Sequence, residues 1–318
     1  MKSRTLIIIC AVIVFSAVIF ASLILRRSSG AEAGGARRLK AVTTIFPLYD
    51  MARAIGGSGA DVTLLLPPGV EAHSFEPKPS DIARINEADI FIYTGKFMEP
   101  WAEDLVGGVA NKRLLVVNAG KDVKLMLEAG LHRGKAGAAP DPHIWLDFDN
   151  AKIMAGNISA AFSAKDPGNK EAYLRASAAY EGRLSALDSA YKSGLSACRT
   201  KEIIYGGHYA FGYLARRYGL NYMAAQGLSP DSEPTAKDLA ALVEQIRKDK
   251  VKYVFYEELT SPKIASTISS ETGAKMLPLS AAHNVGRDQV LRGVSFFDIL
   301  QADLENLKEG LECGVGSR

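Results

Sequence analysis

Cysteine is scarce in this 318-residue sequence: Cys10, Cys198 and Cys313 are its only three. Three scattered cysteines exclude the paired C-x2-C ligand sets of zinc fingers and ribbons. Histidine is scarce too, with five residues and no H-E-x-x-H pair, which removes the helical metalloprotease site. No G-x-S-x-G elbow or phosphate-binding loop occurs. The stretch GGSGAD at 56–61 is only a fragment of a dinucleotide fingerprint, and it ends a helical stretch rather than following a strand. A basic surplus is missing as well. The formal charge is +3, but Lys2, Arg4, Arg26, Arg27 and Glu32 account for all of it, leaving 34 basic and 34 acidic side chains in the remainder. A balanced body has no electrostatic footprint for nucleic acid.

What is present begins at the N-terminus. Lys2 and Arg4 precede an apolar run of 21 residues from Thr5 to Leu25, followed by Arg26, Arg27 and a Gly/Ser/Ala stretch. Basic, apolar and small-residue segments in that order are those of an export signal, and Ala31-Glu32-Ala33 fits a cleavage site. The run is also long enough to span a bilayer, so an uncleaved anchor is the alternative. Residues 1–38 are therefore expected to be a signal peptide or membrane anchor plus linker. The protein is expected in the periplasm or on the outer face of the cytoplasmic membrane. Cys10 lies inside the apolar run rather than after it, which does not suit lipidation. Export to an oxidising compartment favours a Cys198–Cys313 disulfide, with two free thiols as the alternative.

From Leu39 onward, short β-rich runs alternate with helical stretches. LKAVTTIF, DVTLLL, DIFIYTG and KRLLVVNAG read as strands, with YDMARAIGG and a Ser80-capped DIARINEA as helices. After the helix NAKIMAGNISAAFSAKD, the residues from Lys170 to about Ala197 read as one long helix. Tyr173, Leu174, Tyr180, Leu184, Leu187 and Tyr191 recur on it at helical spacing, with the small Ser177 interrupting the stripe. About 28 helical residues give roughly 42 Å, enough to run along two domains. Strand–helix alternation then restarts with EIIYGG, VKYVFYEE and AKMLPLS as strands, and HYAFGYLARRYG, AKDLAALVEQIRKDK, a Ser-capped SPKIASTISSETG and SFFDILQADLENLKEGL as helices. The fold class is α/β: two lobes, each a parallel-type sheet flanked by helices, over 39–165 and 198–318, joined by a long rigid helix within 166–197. The loop KFMEPW carries Phe97, Met98 and Trp101, read as packing against the lobe, with a docking surface as the alternative.

Three of the histidines closely follow a predicted strand: His73 after VTLLL, His208 after EIIYGG and His283 after KMLPLS. His143 opens HIWLDFD, just before the first helix between the lobes. Ligands of open α/β sheets bind outside the carboxyl ends of the strands. These four residues, two per lobe, can meet only in the cleft between lobes, where imidazole donors suit a metal such as zinc. His132, in LHRGKAGAAPD, has no strand context and reads as a solvated loop residue.

The stretches TTIFPLYDMARAIGG, LLLPPGVEAHSFEPKPSDIARINEADIFIYTG, DPHIWLDFDNAKIM, YGGHYAFGYLARRYGL and VFYEELTSPKIASTISSETGAK together resemble the metal-binding substrate-binding proteins of bacterial zinc/manganese ABC transporters. The resemblance covers roughly Lys40 to Leu311. It implies two α/β lobes on a rigid helix and metal ligands at His73, His143 and His208. It also implies delivery of the ion to an ABC permease driven by a cytoplasmic ATPase. Manganese-type members typically carry glutamate as the third ligand; His208 in that place points to Zn²⁺ as the transported ion, with Mn²⁺ as the alternative. The family commonly places a carboxylate after the last strand, where this sequence has Ser280. His283 is the candidate fourth ligand, and Glu257 is the alternative fourth ligand or a partner orienting a histidine; water is the remaining option. Glu71 and Glu76 read as supporting or solvated. No enzymatic activity is expected, a zinc-dependent hydrolase and a surface adhesin being the rival readings. A monomer is expected. Because ligands must be deprotonated, affinity is expected to fall as pH drops through roughly 6.5.

Overall fold

A computed structural model describes residues 37–127, 139–231 and 233–314. The apolar run, the cleavage motif, Cys10 and His132 lie outside the described residues. Among the described residues no helix is long and apolar enough to cross a membrane.

The first sheet contains β1 (Leu39–Thr43), β2 (Ala60–Leu64), β3 (Ile90–Tyr93) and β4 (Leu115–Asn118) in the order β2-β1-β3-β4, all parallel. Its helices are α1 (Phe46–Gly56), α2 (Pro79–Glu87) and α3 (Ala102–Gly107). Two helices follow, α4 (Phe148–Lys165) and α5 (Lys170–Gly194). The second sheet repeats the plan. Strands β5 (Glu202–Tyr205), β6 (Asn221–Ala224), β7 (Tyr253–Tyr256) and β8 (Lys275–Pro278) lie parallel in the order β6-β5-β7-β8. Its helices are α6 (Gly212–Tyr218), α7 (Ala236–Asp249), α8 (Lys263–Thr272), α9 (Arg287–Leu291) and α10 (Phe296–Gly310).

Strand residues alternate between two buried faces, as a sheet covered on both sides requires. Ile90 and Ile92 of β3 join the main core, while Phe91 and Tyr93 join a satellite core on the other face. On β5, Ile203 and Tyr205 face the main core and Ile204 the opposite one. The main core runs without a break from Leu39 to Leu311 and includes both sheets and α5.

Helix α5 has 25 residues, or about 37 Å. It buries Tyr173, Ser177, Tyr180, Leu184, Leu187 and Tyr191. Leu174, expected in that stripe, is 43% exposed, whereas Ser177, expected to interrupt it, is buried. The helix is fastened to both lobes: Tyr180 donates to Asp50 of α1 at 2.8 Å, and Tyr191 donates to the Leu300 carbonyl of α10 at 2.6 Å. Cys198 and Cys313 form the disulfide, which joins the chain just after α5 to the chain just after α10.

Some helix starts differ from expectation. Helix α2 begins at Pro79 with Lys78 as its cap, and the Asp81 carboxylate receives the Lys78 N–H at 2.9 Å. Proline lacks the N–H that a first helical turn leaves unpaired, so Pro79 displaces Ser80 from the cap. Pro262 likewise precedes α8 in place of Ser261. The stretch His208–Phe211, expected as helix, is loop, and α6 starts only at Gly212. In KFMEPW, Met98 is buried and Trp101 half-buried, whereas Phe97 is 40% exposed.

Candidate metal centre

Both sheets change winding direction at their central pair, β1/β3 and β5/β7, which is where open α/β sheets build their sites. Residues just beyond the carboxyl ends of the strands converge there. His73 lies in the proline-fenced loop after β2, His208 just after β5, Glu257 directly after β7 and His283 after β8. His143 comes from between the sheets: Asp141-Pro142-His143 leads into a single 3-10 turn, Ile144–Leu146, and then α4, capped by Asp147.

Three imidazoles meet edge to edge. His73 Nε2 lies 3.2 Å from His143 Nε2, which lies 3.1 Å from His208 Nε2. One ligating atom from each of the three lies within 4.8 Å of the others. His143 and His208 are fully buried, and His73 is half-buried. The far side of each buried ring fixes its tautomer. His143 Nδ1 sits 2.8 Å from Asp141 Oδ1, and His208 Nδ1 sits 2.9 Å from Glu257 Oε2. Carboxylates accept, so each Nδ1 carries the proton and each Nε2 turns a lone pair inward. Lone pairs facing one another at this separation repel unless a cation lies among them. The spacing fits one: nitrogen donors at about 2.05 Å around tetrahedral zinc stand about 3.3 Å apart.

The electrostatics favour neutral imidazoles. Burial, reinforced by the neighbouring histidines, holds His73 and His143 well below the ordinary histidine value. Burial pushes Asp141 up to about 7, against the His143 N–H, which favours its charged form. A bound dication reverses that last effect by favouring the carboxylate.

His283 stands beside the three rather than among them. Its Nε2 faces Glu257 Oε1 at 3.5 Å and Glu71 Oε2 at 3.8 Å, and it groups with His208 and Glu257. Burial opposes the charged form of His283, but the nearby Glu71 and Glu257 outweigh it and raise its pKa. Asp141 was not singled out by sequence reasoning. The signal for it is the D-x-H spacing, which lets one carboxylate oxygen receive both the ring and the backbone N–H of His143, the latter at 3.0 Å.

Hydrogen bonds sew the lobes together around the site. Asn284 Nδ2 donates to the carbonyls of Pro67 and Val70 at 2.9 and 2.6 Å, and Gly69 N–H to Val285 at 3.0 Å. Phe46 N–H donates to the His283 carbonyl at 3.1 Å, and Trp145 Nε1 to the Ala281 carbonyl at 2.7 Å.

Two parallel sheets bridged by one long helix, with imidazole nitrogens converging between them, define a substrate-binding protein for a metal ion. The chain belongs to the family described as zinc-uptake complex component A, periplasmic, whose model matches residues 41–310. It is 36% identical over 281 residues to the high-affinity zinc uptake system protein ZnuA of Bacillus subtilis (strain 168), covering 86% of this chain and 88% of that protein. It is 36% identical over 279 residues to the zinc-binding lipoprotein AdcA of Streptococcus pneumoniae, which covers 86% of this chain but 56% of AdcA, so the chain spans about half of that relative. The crystal structure of the Zn(II)-bound ZnuA-like domain of Streptococcus pneumoniae AdcA superposes with a TM-score of 0.74 at 34% identity, over 86% of this chain and 99% of that domain.

Proposed function

We propose that this protein binds a zinc ion outside the cytoplasmic membrane through His73, His143 and His208, and hands it to an ABC permease driven by a cytoplasmic ATPase. The observation that carries the reading is the meeting of His143 Nε2 with His73 Nε2 at 3.2 Å and His208 Nε2 at 3.1 Å, the His143 and His208 rings being oriented by buried carboxylates. An all-nitrogen set suits zinc; manganese prefers more carboxylate. Residues 39–165 and 198–318 are the two lobes in this reading and 166–197 the connector, with the N-terminal segment as export signal or anchor. The ion is read as cargo, in keeping with the zinc-uptake family to which the chain belongs.

Thermal unfolding of the exported part with and without one equivalent of Zn²⁺ tests the reading, because a ligand that binds only the folded form raises its stability. A zinc-dependent rise that is lost in His143→Ala is expected. No rise in the unmutated protein, or an equal rise in the variant, would end the proposal. Competition between Zn²⁺ and Mn²⁺ tests the choice of metal, with zinc expected to displace manganese.

A further inference from the structure

A groove of about 440 Å³ crosses the seam between the lobes beside the metal centre. Helix α1 lines it with Tyr49 and Arg53, α2 with Arg84, and the chain leaving β2 with residues 64–68. Across the seam stand Val290 of α9, Gly293 and Val294. The lining is mainly aliphatic and aromatic, and among the described residues that form it there is no carboxylate. Its two charged groups are both guanidinium. Arg53 is exposed and lies 5.4 Å from the centre of the Tyr49 ring. Arg84 pairs with Asp81 at 3.1 Å, yet its side chain is 56% exposed.

The apolar surface continues onto the rim. Val290 is 42% exposed, its neighbour Leu291 77%, and Val70, on the loop that follows Pro68, 38%. Large aliphatic side chains left in water on both sides of one apolar groove mark a contact surface. Its position ties it to the metal centre. Pro67 and Pro68 begin the loop that carries His73, and Val290 follows the segment that carries His283. Asn284 donates to the Pro67 and Val70 carbonyls, and Gly69 N–H to the Val285 carbonyl, which holds these two stretches together.

We propose that this groove is the docking surface for the permease, and that it takes a loop of the permease's outer face carrying an aliphatic or aromatic anchor flanked by a carboxylate. The anchor fills the groove and the carboxylate meets Arg53 and Arg84, the complement that an apolar pocket edged by arginine selects. With no carboxylate in its lining the groove is not self-complementary, which disfavours a second copy of this chain. A flat layer of lipid headgroups does not enter a concavity. A loop seated here bears on the stem of the His73 loop, so docking and release of the ion act on the same stretch. The inference names the surface that the delivery reading above requires, and rests on that reading.

The test uses the exported part, whose two sheets share one core, loaded with one equivalent of Zn²⁺ and checked by its thermal shift. The probe is the zinc permease with its ATPase from the same cell, held in nanodiscs, and docking is read by surface plasmon resonance. Arg53→Glu should slow association and weaken docking at least about tenfold, and added salt should weaken docking of the unmutated protein more than that of this variant. Val290→Asp should weaken docking by a similar factor. Both variants should keep the zinc shift, and Lys237→Glu, a reversal at an exposed position outside the groove, should dock normally. Two groove variants that keep the zinc shift and dock as tightly as the unmutated protein, or an equal loss in Lys237→Glu, would overturn the proposal. So would equal binding to empty nanodiscs of anionic lipid, which assigns the groove to the membrane. A dimer in sedimentation that Val290→Asp dissolves would assign it to a second copy and overturn the proposal too. Unmutated protein that takes zinc and does not dock would instead overturn the delivery reading.

Discussion

Nδ1 of His143 lies 2.8 Å from Oδ1 of Asp141, and neither side chain reaches solvent. The carboxyl group holds the ring in the tautomer that presents Nε2 to the centre. Asp141→Asn retains an acceptor but removes the negative charge that strengthens the donor. Zinc affinity should fall about 10- to 100-fold, the usual cost of losing such a partner. Competition against a chromophoric chelator measures this directly. Unchanged affinity would show that the Asp141 charge does not support His143 as a ligand.

Acid should weaken zinc binding less than the bare ligand set implies. Three free imidazoles titrating near 6.5 would give a roughly fifty-fold drop in affinity from pH 7.5 to 6.0. Burial lowers His73 and His143 far below that value. A lowered pKa keeps the neutral, ligating form at acid pH, so the loss moves downward. A decrease well short of fifty-fold is expected across this interval, with correspondingly few protons released on binding. Calorimetry in buffers of different ionisation enthalpy reads both quantities. The fall is thus expected below the value of roughly 6.5 that unperturbed imidazole ligands would give.

The Cys198–Cys313 bond closes a loop with a sequence separation of 115 residues. Reduction, or replacement of both cysteines by alanine, should cost roughly 2–5 kcal/mol of stability. Urea unfolding with and without reductant shows it as a lower midpoint. Zinc affinity of the folded protein should persist, because no ligand depends on the bridge.

Trp145 is fully buried and its indole N–H reaches across to the Ala281 carbonyl. Trp145→Phe keeps most of the packing and leaves that carbonyl unpaired, at a cost of about 1–3 kcal/mol. The thermal midpoint of zinc-free protein should drop accordingly. Retention of the original midpoint would show that this tie carries no weight.

Much of this architecture was legible in the chain. Short β-rich runs alternating with helical stretches mark both sheets, and the tyrosine and leucine stripe marks α5. His73, His143 and His208 were reachable because strand ends and the DPHIW and GGHYAF stretches announce them. The rest depends on contacts that no local pattern encodes. Leu174 looks like core by spacing, yet it is 43% exposed. Whether His283 joins the trio or faces Glu71 and Glu257 is decided by the left-handed turn at Ala282 and the grip of Asn284 on a loop more than 200 residues away. Asp141 escaped notice because an acidic residue in a loop is ordinarily solvated; only burial gives it a role.

The hydrogen bonds across the seam, those of Asn284, Gly69, Phe46 and Trp145 among them, together with one continuous core, oppose a wide opening of the cleft around the ion. Two of the three inward nitrogens are preset on buried rings, while the third rides on a half-exposed loop. If the three imidazoles hold the ion as proposed, capture ends with the fall of a latch, His73 engaging last and releasing first. A receiving channel that must tell a laden carrier from an empty one has no gap to measure. It must feel the rim itself, where the loop from Pro67 to Lys78 lies at the surface.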